Sequence, residues 1–546
     1  MSAGARVRLE LAAGEWREIG GARPAVSLAE LLAAHGVPLN TRCGGRGLCR
    51  GCEVELRAGT VMTATGPVTA PATLKACQAR VAGDATIHVP ARARIDHRPH
   101  VGETFEISVP YAHEPLFAPE PGGRDTAFAV DIGTTTVVVL LVDLVTGEIL
   151  ARAGGFNEQI RFGDNVVTRI EAARRPETLA AMQRAIAAET IGPLLRRACE
   201  RSGRTSHRIA GGAIAGNTTM LHLLTGTDPS PLGRAPFTPR FLAGRQMSAG
   251  ELKLAPGELP ADVPVQLLPG IAGYVGADIT AGIYATGMAF APRPNLLVDI
   301  GTNGEIVLQS GGGLTACATA AGPAFEGCGL QCGTRARAGA VSDLCLQRQP
   351  FALRAETIGG GPLAQAGGLC GSAYVDFLAT ARQCGLLETT GRFNAAAWAD
   401  LPAAYRLAEG GARALRLAAD GGAAALRISE ADVARLLQAK AAIGAGIEVL
   451  LAAAGLRAAD VDQLHLAGGF GMHLNVAHAI AIGLLPGFRP DQVRVAGNTS
   501  LAGALLALVD RNTLAEMEKL RETTQVVELN LADGFEDRYI EHLLLP

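Results

Sequence analysis

The sequence has 546 residues, more than one hydrophobic core supports, which predicts two to four domains. It is 48 % hydrophobic and 18 % charged, a composition typical of packed globular domains. The net charge of −3 gives no reason to expect nucleic acid or an anionic membrane as a partner. No signal peptide or bilayer-spanning apolar run is evident, so the sequence predicts a cytoplasmic protein. Eleven cysteines in such a protein favour metal or redox chemistry over disulfides.

Residues 1–92 predict a small β-rich domain with one helix. Apolar residues alternate from Val7 onward, as in a strand with one buried face. Ser27 and Glu30 form a capping-box pattern that opens a helix, and Gly36 stands where a helix commonly ends. The strands and this helix are expected to flank a cysteine-rich loop.

That loop carries Cys43, Cys49 and Cys52 among glycines, and Cys77 follows it. A tight glycine loop has no interior in which thiols could pack, so we interpret the cysteines as ligands of one metal centre. Glycines let backbone N–H groups approach the sulfurs of an iron–sulfur cluster closely. Four thiolates also suit tetrahedral zinc, although zinc ribbons usually show two separate C-x2-C knuckles. Buried cysteines without a metal are the third interpretation.

The C-x5-C-x2-C spacing resembles that of [2Fe–2S] ferredoxins. The plant-type spacing has four residues between the first two cysteines, and this sequence has five. The resemblance implies a β-grasp, ferredoxin-like domain whose [2Fe–2S] cluster is bound by Cys43, Cys49, Cys52 and Cys77.

Residues 93–124 are rich in proline, glycine and charge, which predicts a partly extended linker. Two histidines in it, His97 and His100, could be metal ligands. A solvated linker pair is the simpler interpretation.

An Asp-Ile-Gly-Thr segment occurs twice, beginning at Asp131 and at Asp299, each time between two apolar stretches. Each copy predicts a β-hairpin with glycine and threonine at the turn, where N–H groups and hydroxyls can hold phosphate oxygens. The aspartate can hold Mg²⁺ through water or orient an attacking water. One copy alone could be an ordinary turn, but two favour a duplicated phosphate site. The candidate phosphate-binding residues are Gly133, Thr134, Thr135, Gly301, Thr302 and Asn303.

Further along the chain, a buried strand runs into a turn at Gly468 and Gly469. This turn suits the ribose and adenine of a nucleotide, although by itself it is more typical of a plain strand-to-helix connection. Glu326 is either a polar group near the nucleotide or a structural residue. Lys440, on an amphipathic helix, either reaches the nucleotide or lies on the surface.

Together, the two hairpins and the glycine turn resemble the actin-like ATPase superfamily. The resemblance implies an α/β multidomain fold in which duplicated α/β halves close on ATP. We expect a first, small subdomain at residues 125–206 and a second, large domain at residues 207–546. In some redox ATPases of this superfamily a cysteine pair binds an interface [4Fe–4S] cluster. Cys328 and Cys332 could form such a pair or could be buried cysteines.

A ferredoxin-like domain joined to an actin-like ATPase resembles the reductive activators of corrinoid-dependent methyltransferases. Four further stretches match that family, at residues 161–166, 216–220, 321–327 and 439–443. The resemblance implies an ATP-hydrolysing enzyme that passes one electron from the cluster to Co(II) and produces Co(I). It implies a corrinoid protein or corrinoid-dependent methyltransferase as partner, and a homodimer as one expected assembly. The source of the electron is not indicated.

Two other functions fit part of the pattern. The protein could be an ATP-gated electron donor to another low-potential metalloprotein, or a small-molecule kinase of the actin-like superfamily. A kinase would gain little from the fused cluster domain, so the activator is the favoured hypothesis.

Overall fold

A computed structural model describes most of the chain. The described residues are 5–12, 15–22, 26–37, 39, 47, 52–90, 93, 104–120, 122–254, 259–409, 412–418, 426–471 and 474–546. Four residues discussed above, Cys43, Cys49, His97 and His100, lie outside them. The chain divides into two compact units, residues 1–97 with 158–172 and residues 98–157 with 173–546.

The first unit is built on one mixed sheet of six strands with the order β2-β1-β6-β3-β4, in which β5 also pairs with β3. Its elements are β1 (Ala5–Ala12), β2 (Glu15–Ala22), α1 (Leu28–Ala34), β3 (Glu53–Thr63), β4 (Gly66–Thr69), β5 (Ala72–Lys75), β6 (Ala79–His88) and α2 (Val166–Ala172). One helix packed against a sheet whose hairpin β1–β2 pairs in parallel with β6 is the predicted β-grasp arrangement, which is confirmed.

The predicted local signals of this unit are present. Every second residue of β1 from Val7 onward is buried, as the alternation requires. The hydroxyl of Ser27 accepts the Glu30 N–H at 3.2 Å, and the Glu30 carboxylate accepts the Ser27 N–H at 2.7 Å. Gly36 follows the helix with a φ of +75°, a conformation that glycine adopts without strain. The helix therefore begins and ends where the sequence indicates.

The second unit contains two six-stranded sheets. The first has the order β11-β12-β10-β7-β8-β9. The elements of this part are β7 (Thr126–Ile132), β8 (Thr136–Asp143), β9 (Ile149–Phe156), α3 (Pro176–Ile186), α4 (Gly192–Ser202), β10 (Ile209–Gly216), α5 (Thr218–Leu224), β11 (Arg245–Ser248), β12 (Pro264–Leu267) and α6 (Ala277–Ala285).

The second sheet has the order β22-β21-β13-β14-β15-β23. The elements are β13 (Asn295–Ile300), β14 (Gly304–Ser310), β15 (Gly313–Thr319), β16 (Val341–Gln347), β17 (Ala352–Thr357), α7 (Gly371–Gln383), α8 (Ala395–Asp400), β18 (Arg406–Glu409), β19 (Ala412–Arg416), β20 (Arg427–Ser429), α9 (Glu430–Ala453), β21 (Gln463–Ala467), α10 (Val476–Ala481), β22 (Val493–Gly497), α11 (Thr499–Val509), α12 (Asn512–Thr523), β23 (Gln525–Val526) and α13 (Phe535–His542). Strands β16–β17 and β18–β20 form two smaller sheets.

The two large sheets repeat one design. In each, three antiparallel strands (β7-β8-β9 and β13-β14-β15) are extended by two parallel strands beside the first of them (β10-β12 and β21-β22). The predicted duplication of α/β halves is therefore present. The predicted boundary between residues 206 and 207 falls inside the first sheet, because β10 pairs in parallel with β7 and β12 pairs in parallel with β10, which continues the sheet to Leu267.

Helices α6 and α11 pack closely against each other. A Cβ atom on Gly503 of α11 would lie 2.4 Å from the Cβ of Ala281 in α6, and one on Gly282 would lie 2.8 Å from the Thr499 hydroxyl. Small residues are required at both crossing points, because any larger side chain would push the helices apart. Helix α11 also packs on β7 and β10, and α6 packs on β10 and β13, so the two sheets share this helix pair.

Part of the predicted linker is bound to the second unit. Between residues 104 and 120 the backbone exchanges hydrogen bonds with residues near both ends of α11: Asn498 donates to Thr104 at 3.1 Å and Leu116 donates to Leu508 at 2.8 Å. These hydrogen bonds hold the segment against the second unit. Only residues 94–103 and 121 of this stretch lie outside the described part.

One helix of the described residues, Glu430–Ala453, is long and apolar enough to cross a membrane by length and composition alone. Of its most apolar window, 78 % is buried inside the protein. Its apolar residues belong to the core of the second sheet, including Leu436, Ile443 and Ile447. The apolar character of this helix therefore reflects its place in the core of the second unit.

Candidate nucleotide and cluster sites

Cys52 and Cys77 are brought together although they lie far apart in the sequence. The N–H of Ala76 donates to the Cys52 carbonyl at 3.1 Å, which anchors the short 3-10 helix that carries Cys77 beside the start of β3. The hydrogen bond from the Cys52 thiol is the main reason that the pKa of Cys77 is lowered to about 6, and Gln78 and the Gly47 backbone add to it. Lys75 donates to the Gly47 carbonyl at 2.5 Å.

The first hairpin turn, between β7 and β8, is held from both sides. Gly133 donates to the Thr136 carbonyl at 2.9 Å, and the Asn157 amide donates to the Gly133 carbonyl at 2.9 Å. Thr134 is buried, and its hydroxyl accepts the amide of Asn217 at 3.0 Å. Hydrogen bonds within the protein therefore fix the position of the turn.

Asp131, at the end of β7, receives two hydrogen bonds from the start of α11. The Asn498 amide donates at 2.9 Å and the Ser500 hydroxyl at 2.7 Å. Withdrawal from water raises the pKa of Asp131, and these two donors oppose that rise. The carboxylate is thereby fixed in orientation by residues of the opposite half.

The second hairpin turn, between β13 and β14, lies against the glycine turn after β21. Gly301 donates to the Asn303 carbonyl at 2.9 Å, two residues on, whereas Gly133 donates to the carbonyl three residues on, at Thr136. A Cβ on Gly468 would lie 2.6 Å from a carboxylate oxygen of Asp299, so only glycine fits there. A Cβ on Gly469 would meet no atom within 4 Å.

The two hairpins meet at Glu326. The Thr135 hydroxyl donates to one carboxylate oxygen at 2.9 Å, and the Thr302 hydroxyl donates to the other at 2.8 Å. The predicted catalytic and phosphate-binding residues of both copies are thus brought to one place. The roles predicted for them stay predictions.

Four carboxyl groups of the second unit repel one another in this region. Burial, with repulsion from Asp131, raises the pKa of Asp299 to about 7. Burial, with repulsion from Asp299 and Asp131, raises the pKa of Asp278 to about 8. Burial, with repulsion from Asp278 and Asp299, raises the pKa of Glu305 well above its ordinary value. Such a group of carboxyls is stabilised by a nearby cation.

The donor set fits Mg²⁺ held through water. Among the described residues no three His, Cys, Asp or Glu side chains lie close enough to ligate one metal directly. Mg²⁺ usually keeps several waters and binds through one or two carboxylates with substrate phosphates, and Asp131 and Asp299 are carboxylates of this kind.

Arg335 lies beside the first hairpin. Its guanidinium carbon is 5.6 Å from the ring of Phe156, the residue that pairs with Thr136 across β8 and β9. Its Nε and Nη2 atoms are buried and have no hydrogen-bond partner among the described residues. Buried guanidinium N–H groups without acceptors are suited to an anionic ligand.

Lys440 and the Cys328–Cys332 pair, the other two candidates, contact other parts of the protein. Lys440 is buried rather than on the surface, and its ammonium donates to the Leu544 carbonyl at 2.6 Å. Burial lowers its pKa to about 8. Cys328 is buried, and the Cys332 sulfur accepts the Arg427 N–H at 3.4 Å. No metal-binding cluster is found around this pair within the described part of the chain.

Models of known families match three consecutive parts of the chain. Residues 12–82 match the 2Fe–2S iron–sulfur cluster binding domain. Residues 126–290 match the RACo middle region, and residues 293–546 match the C-terminal domain of RACo, the ASKHA domain. The last two models meet between residues 290 and 293, after β12 and α6.

Similar proteins share most of the length of the chain. The corrinoid activation enzyme RamQ of Eubacterium limosum is 31 % identical over 76 % of this chain and 69 % of its own. The chain belongs to the family of corrinoid activation enzymes. The [Co(II) methylated amine-specific corrinoid protein] reductase of Methanosarcina barkeri is 24 % identical over 74 % of each chain. The solved structure of a reductive activator for a corrinoid, iron–sulfur protein matches 99 % of this chain and 98 % of its own, with a TM-score of 0.71 and 29 % identity.

Membership of this family confirms the favoured sequence hypothesis, including the ferredoxin-like domain and the actin-like ATPase fold. Sequence reasoning missed Asp278, Glu305, Asn498, Ser500 and Arg335 as residues of the site. A signal for one of them, Asn498, was present: Ala215-Gly216-Asn217-Thr218 recurs as Ala496-Gly497-Asn498-Thr499. In each copy the asparagine follows a strand, caps a helix and donates to the first hairpin.

Proposed function

We propose that this protein uses ATP to reactivate a corrinoid protein, passing it one electron that converts Co(II) to Co(I). The observation that carries the proposal is the similarity to a corrinoid activation enzyme across a chain whose two Asp-Ile-Gly-Thr hairpins converge on Glu326. The corrinoid protein, alone or in its methyltransferase, is the substrate.

We assign electron transfer to the first unit. The proposed cluster ligands are Cys43, Cys49, Cys52 and Cys77. A bound [2Fe–2S] cluster accepts and donates one electron at a time at low potential. The chain's own contribution is to hold thiolates in place: the lowered pKa of Cys77 favours the ligating form, and the Ala76 N–H fixes Cys52 beside it.

The nucleotide is assigned to the second unit. We assign its phosphates to the two turns, Gly133, Thr134, Thr135, Gly301, Thr302 and Asn303. Asp131 and Asp299 would hold Mg²⁺ through water or orient the attacking water, and Gly468 and Gly469 would frame the adenosine. The unpartnered N–H groups of Arg335 supply the positive charge that phosphates require.

ATP is needed because the electron transfer is uphill. Plant-type [2Fe–2S] clusters lie near about −400 mV, and Co(II) that keeps an axial ligand is harder to reduce than that. Binding energy released when the two halves close on ATP can displace the ligand or favour docking, and so shift the equilibrium toward Co(I). The close α6–α11 contact offers a pivot for this closure, because in the chain α6 follows β12 of the first sheet and α11 follows β22 of the second.

The experiment uses the full chain with its iron restored, dithionite as the electron source, and a purified Co(II) corrinoid protein. We expect Co(I) to accumulate with MgATP and not with the non-hydrolysable analogue AMPPNP. Co(I) formation at the same rate without nucleotide would contradict an ATP-driven activator. Phosphorylation of a metabolite by the second unit, with no effect on cobalt, would indicate a kinase instead.

A further inference from the structure

Glu326 accepts hydrogen bonds from two threonine hydroxyls that a bound phosphate would also require. Both of its carboxylate oxygens are in use, one accepting from Thr135 at 2.9 Å and the other from Thr302 at 2.8 Å. Both threonines are more than nine-tenths buried, so few other acceptors can reach them. A hydroxyl has only one proton to donate. While it donates to Glu326, it cannot donate to a phosphate oxygen.

Charge makes the competition stronger. A carboxylate and a phosphate are both anions, and Asp131 and Asp299 already raise the negative potential of the same region. Two anions that need the same donors in a region of low dielectric cannot both keep them. A phosphate bound at either turn therefore displaces Glu326 from at least one threonine.

Displacement of Glu326 has consequences beyond the turns. The adjacent Phe325 stacks on Phe470 with ring centroids 5.2 Å apart, and Phe470 directly follows the Gly468–Gly469 turn. The Phe325 carbonyl lies so close to the first residue of α7 that a Cβ on Gly371 would be 1.6 Å from it. One short segment thus contacts both hairpins, the glycine turn and the start of α7.

The segment also has backbone positions at which it can pivot. Gly322 and Gly327 flank it with φ values of +71° and +72°. A Cβ on Gly322 would meet nothing within 4 Å, whereas one on Gly327 would lie 2.3 Å from the Thr334 carbonyl oxygen. The N-terminal side is therefore open and the C-terminal side is anchored, as a hinged segment requires.

We propose that Glu326 is a positioning residue that competes with the nucleotide's phosphates for Thr135 and Thr302, and that its release transmits nucleotide binding to the glycine turn and α7. This inference rests on the proposed nucleotide site. It makes Glu326 a residue that weakens nucleotide binding and ties it to a conformational change, rather than one that holds the nucleotide.

The test compares Glu326→Gln with the wild-type full chain by titration with ADP and AMPPNP. The amide keeps the length of the side chain and removes its charge, so we expect both nucleotides to bind about tenfold more tightly. Glu518→Gln is the matched control, because Glu518 also accepts from two groups, Gly244 and Arg521, elsewhere in the unit. It should leave the affinity unchanged.

Hydrogen exchange provides a readout that requires no variant. In the wild type, ADP should increase exchange in a peptide covering residues 323–333, and in Glu326→Gln exchange there should already be high. Unchanged or weaker nucleotide binding by Glu326→Gln, or protection of this peptide by ADP in the wild type, would overturn the inference. If the wild type binds neither nucleotide, the proposed function fails first, and that outcome is distinct.

Discussion

Asn217 and Asn498 perform the same task in two copies of one short sequence. Each accepts a backbone N–H at the start of its helix, at 3.0 Å in α5 and 2.9 Å in α11. Each then donates its amide to the first hairpin, to Thr134 at 3.0 Å and to Asp131 at 2.9 Å. The hairpin is thus held from the first and second halves of the ATPase unit by equivalent caps.

This arrangement predicts that Asn498→Ala affects catalysis beyond its effect on folding. Loss of a helix cap costs about 1 kcal/mol, and loss of the donor to Asp131 should lower ATP hydrolysis about tenfold in addition. Asn394→Ala is the matched control, because Asn394 caps α8 in the same way with a bond of 3.0 Å and its amide donates to Glu388 instead of a phosphate-turn residue. Thermal melting and ATPase assays separate the two effects. Equal loss of hydrolysis in both variants would mean that the cap acts only through stability.

Asp131→Asn and Asp299→Asn should each reduce ATP hydrolysis by about 100-fold or more, because a neutral amide lacks the negative charge that attracts a hydrated cation and cannot accept a proton from water. Asp262→Asn serves as the control, since Asp262 pairs with Arg124 on the surface. MgADP affinity measured alongside distinguishes a catalytic from a binding defect. Near wild-type hydrolysis in either hairpin variant would remove that aspartate from the site.

Cys52→Ser and Cys77→Ser should abolish reduction of Co(II) while leaving nucleotide affinity unchanged, because the cysteines lie in a different unit from the hairpins. The measurements are iron content per chain, the cluster's absorption spectrum and ADP titration. Cys345→Ser, at an exposed cysteine of the second unit, should retain both iron and activity. Full iron content in the Cys52 and Cys77 variants would exclude them as ligands.

His222 predicts an acid-sensitive second unit. Burial lowers its pKa to about 4, and both ring nitrogens are satisfied in the neutral form: Nδ1 donates to the Thr218 carbonyl at 2.7 Å and Nε2 accepts the backbone N–H of Arg240 at 3.0 Å. The folded pKa lies below the unfolded value of about 6.5, so the unfolded state binds more protons between these values. Stability is therefore fully present above pH 6.5 and is lost as the pH falls toward 4, by roughly 3 kcal/mol.

The prediction is checked by measuring the midpoint temperature of thermal unfolding of the second unit at several pH values between 7 and 4. His222→Gln should flatten the acid dependence, since glutamine can also donate and accept but does not titrate. His207→Gln, at an exposed histidine, should keep the wild-type slope. An unchanged slope in His222→Gln would assign the acid sensitivity to other groups.

The parts of the fold that sequence reasoning predicted are those with local causes. The sequence around Asp131 and Asp299 predicts a hairpin because strand, turn and strand are contiguous. Ser27 and Glu30 define a helix start within four residues. The contacts that complete the site are not local. Asn498 reaches Asp131 through the packing of α11 on the first sheet, and Glu326 reaches Thr135 only when both sheets are assembled.

Lys440 shows that a correctly predicted helix does not reveal which of its polar residues are buried. Its helix was predicted from apolar periodicity, but that pattern does not reveal that the polar face is covered. The Leu544 carbonyl, more than a hundred residues later, covers it. A charged residue on an amphipathic helix is ordinarily exposed, and only the tertiary structure identifies the exception.

The most direct test of the account is a single-turnover mixing experiment with the pre-reduced full chain and one equivalent of Co(II) corrinoid protein. Loss of the reduced-cluster signal and appearance of Co(I) are recorded together, with and without MgATP. We predict that the two signals change at the same rate and in a one-to-one ratio with MgATP, and that neither changes appreciably without it. Co(I) appearing without oxidation of the cluster, or equally fast without MgATP, would contradict the account.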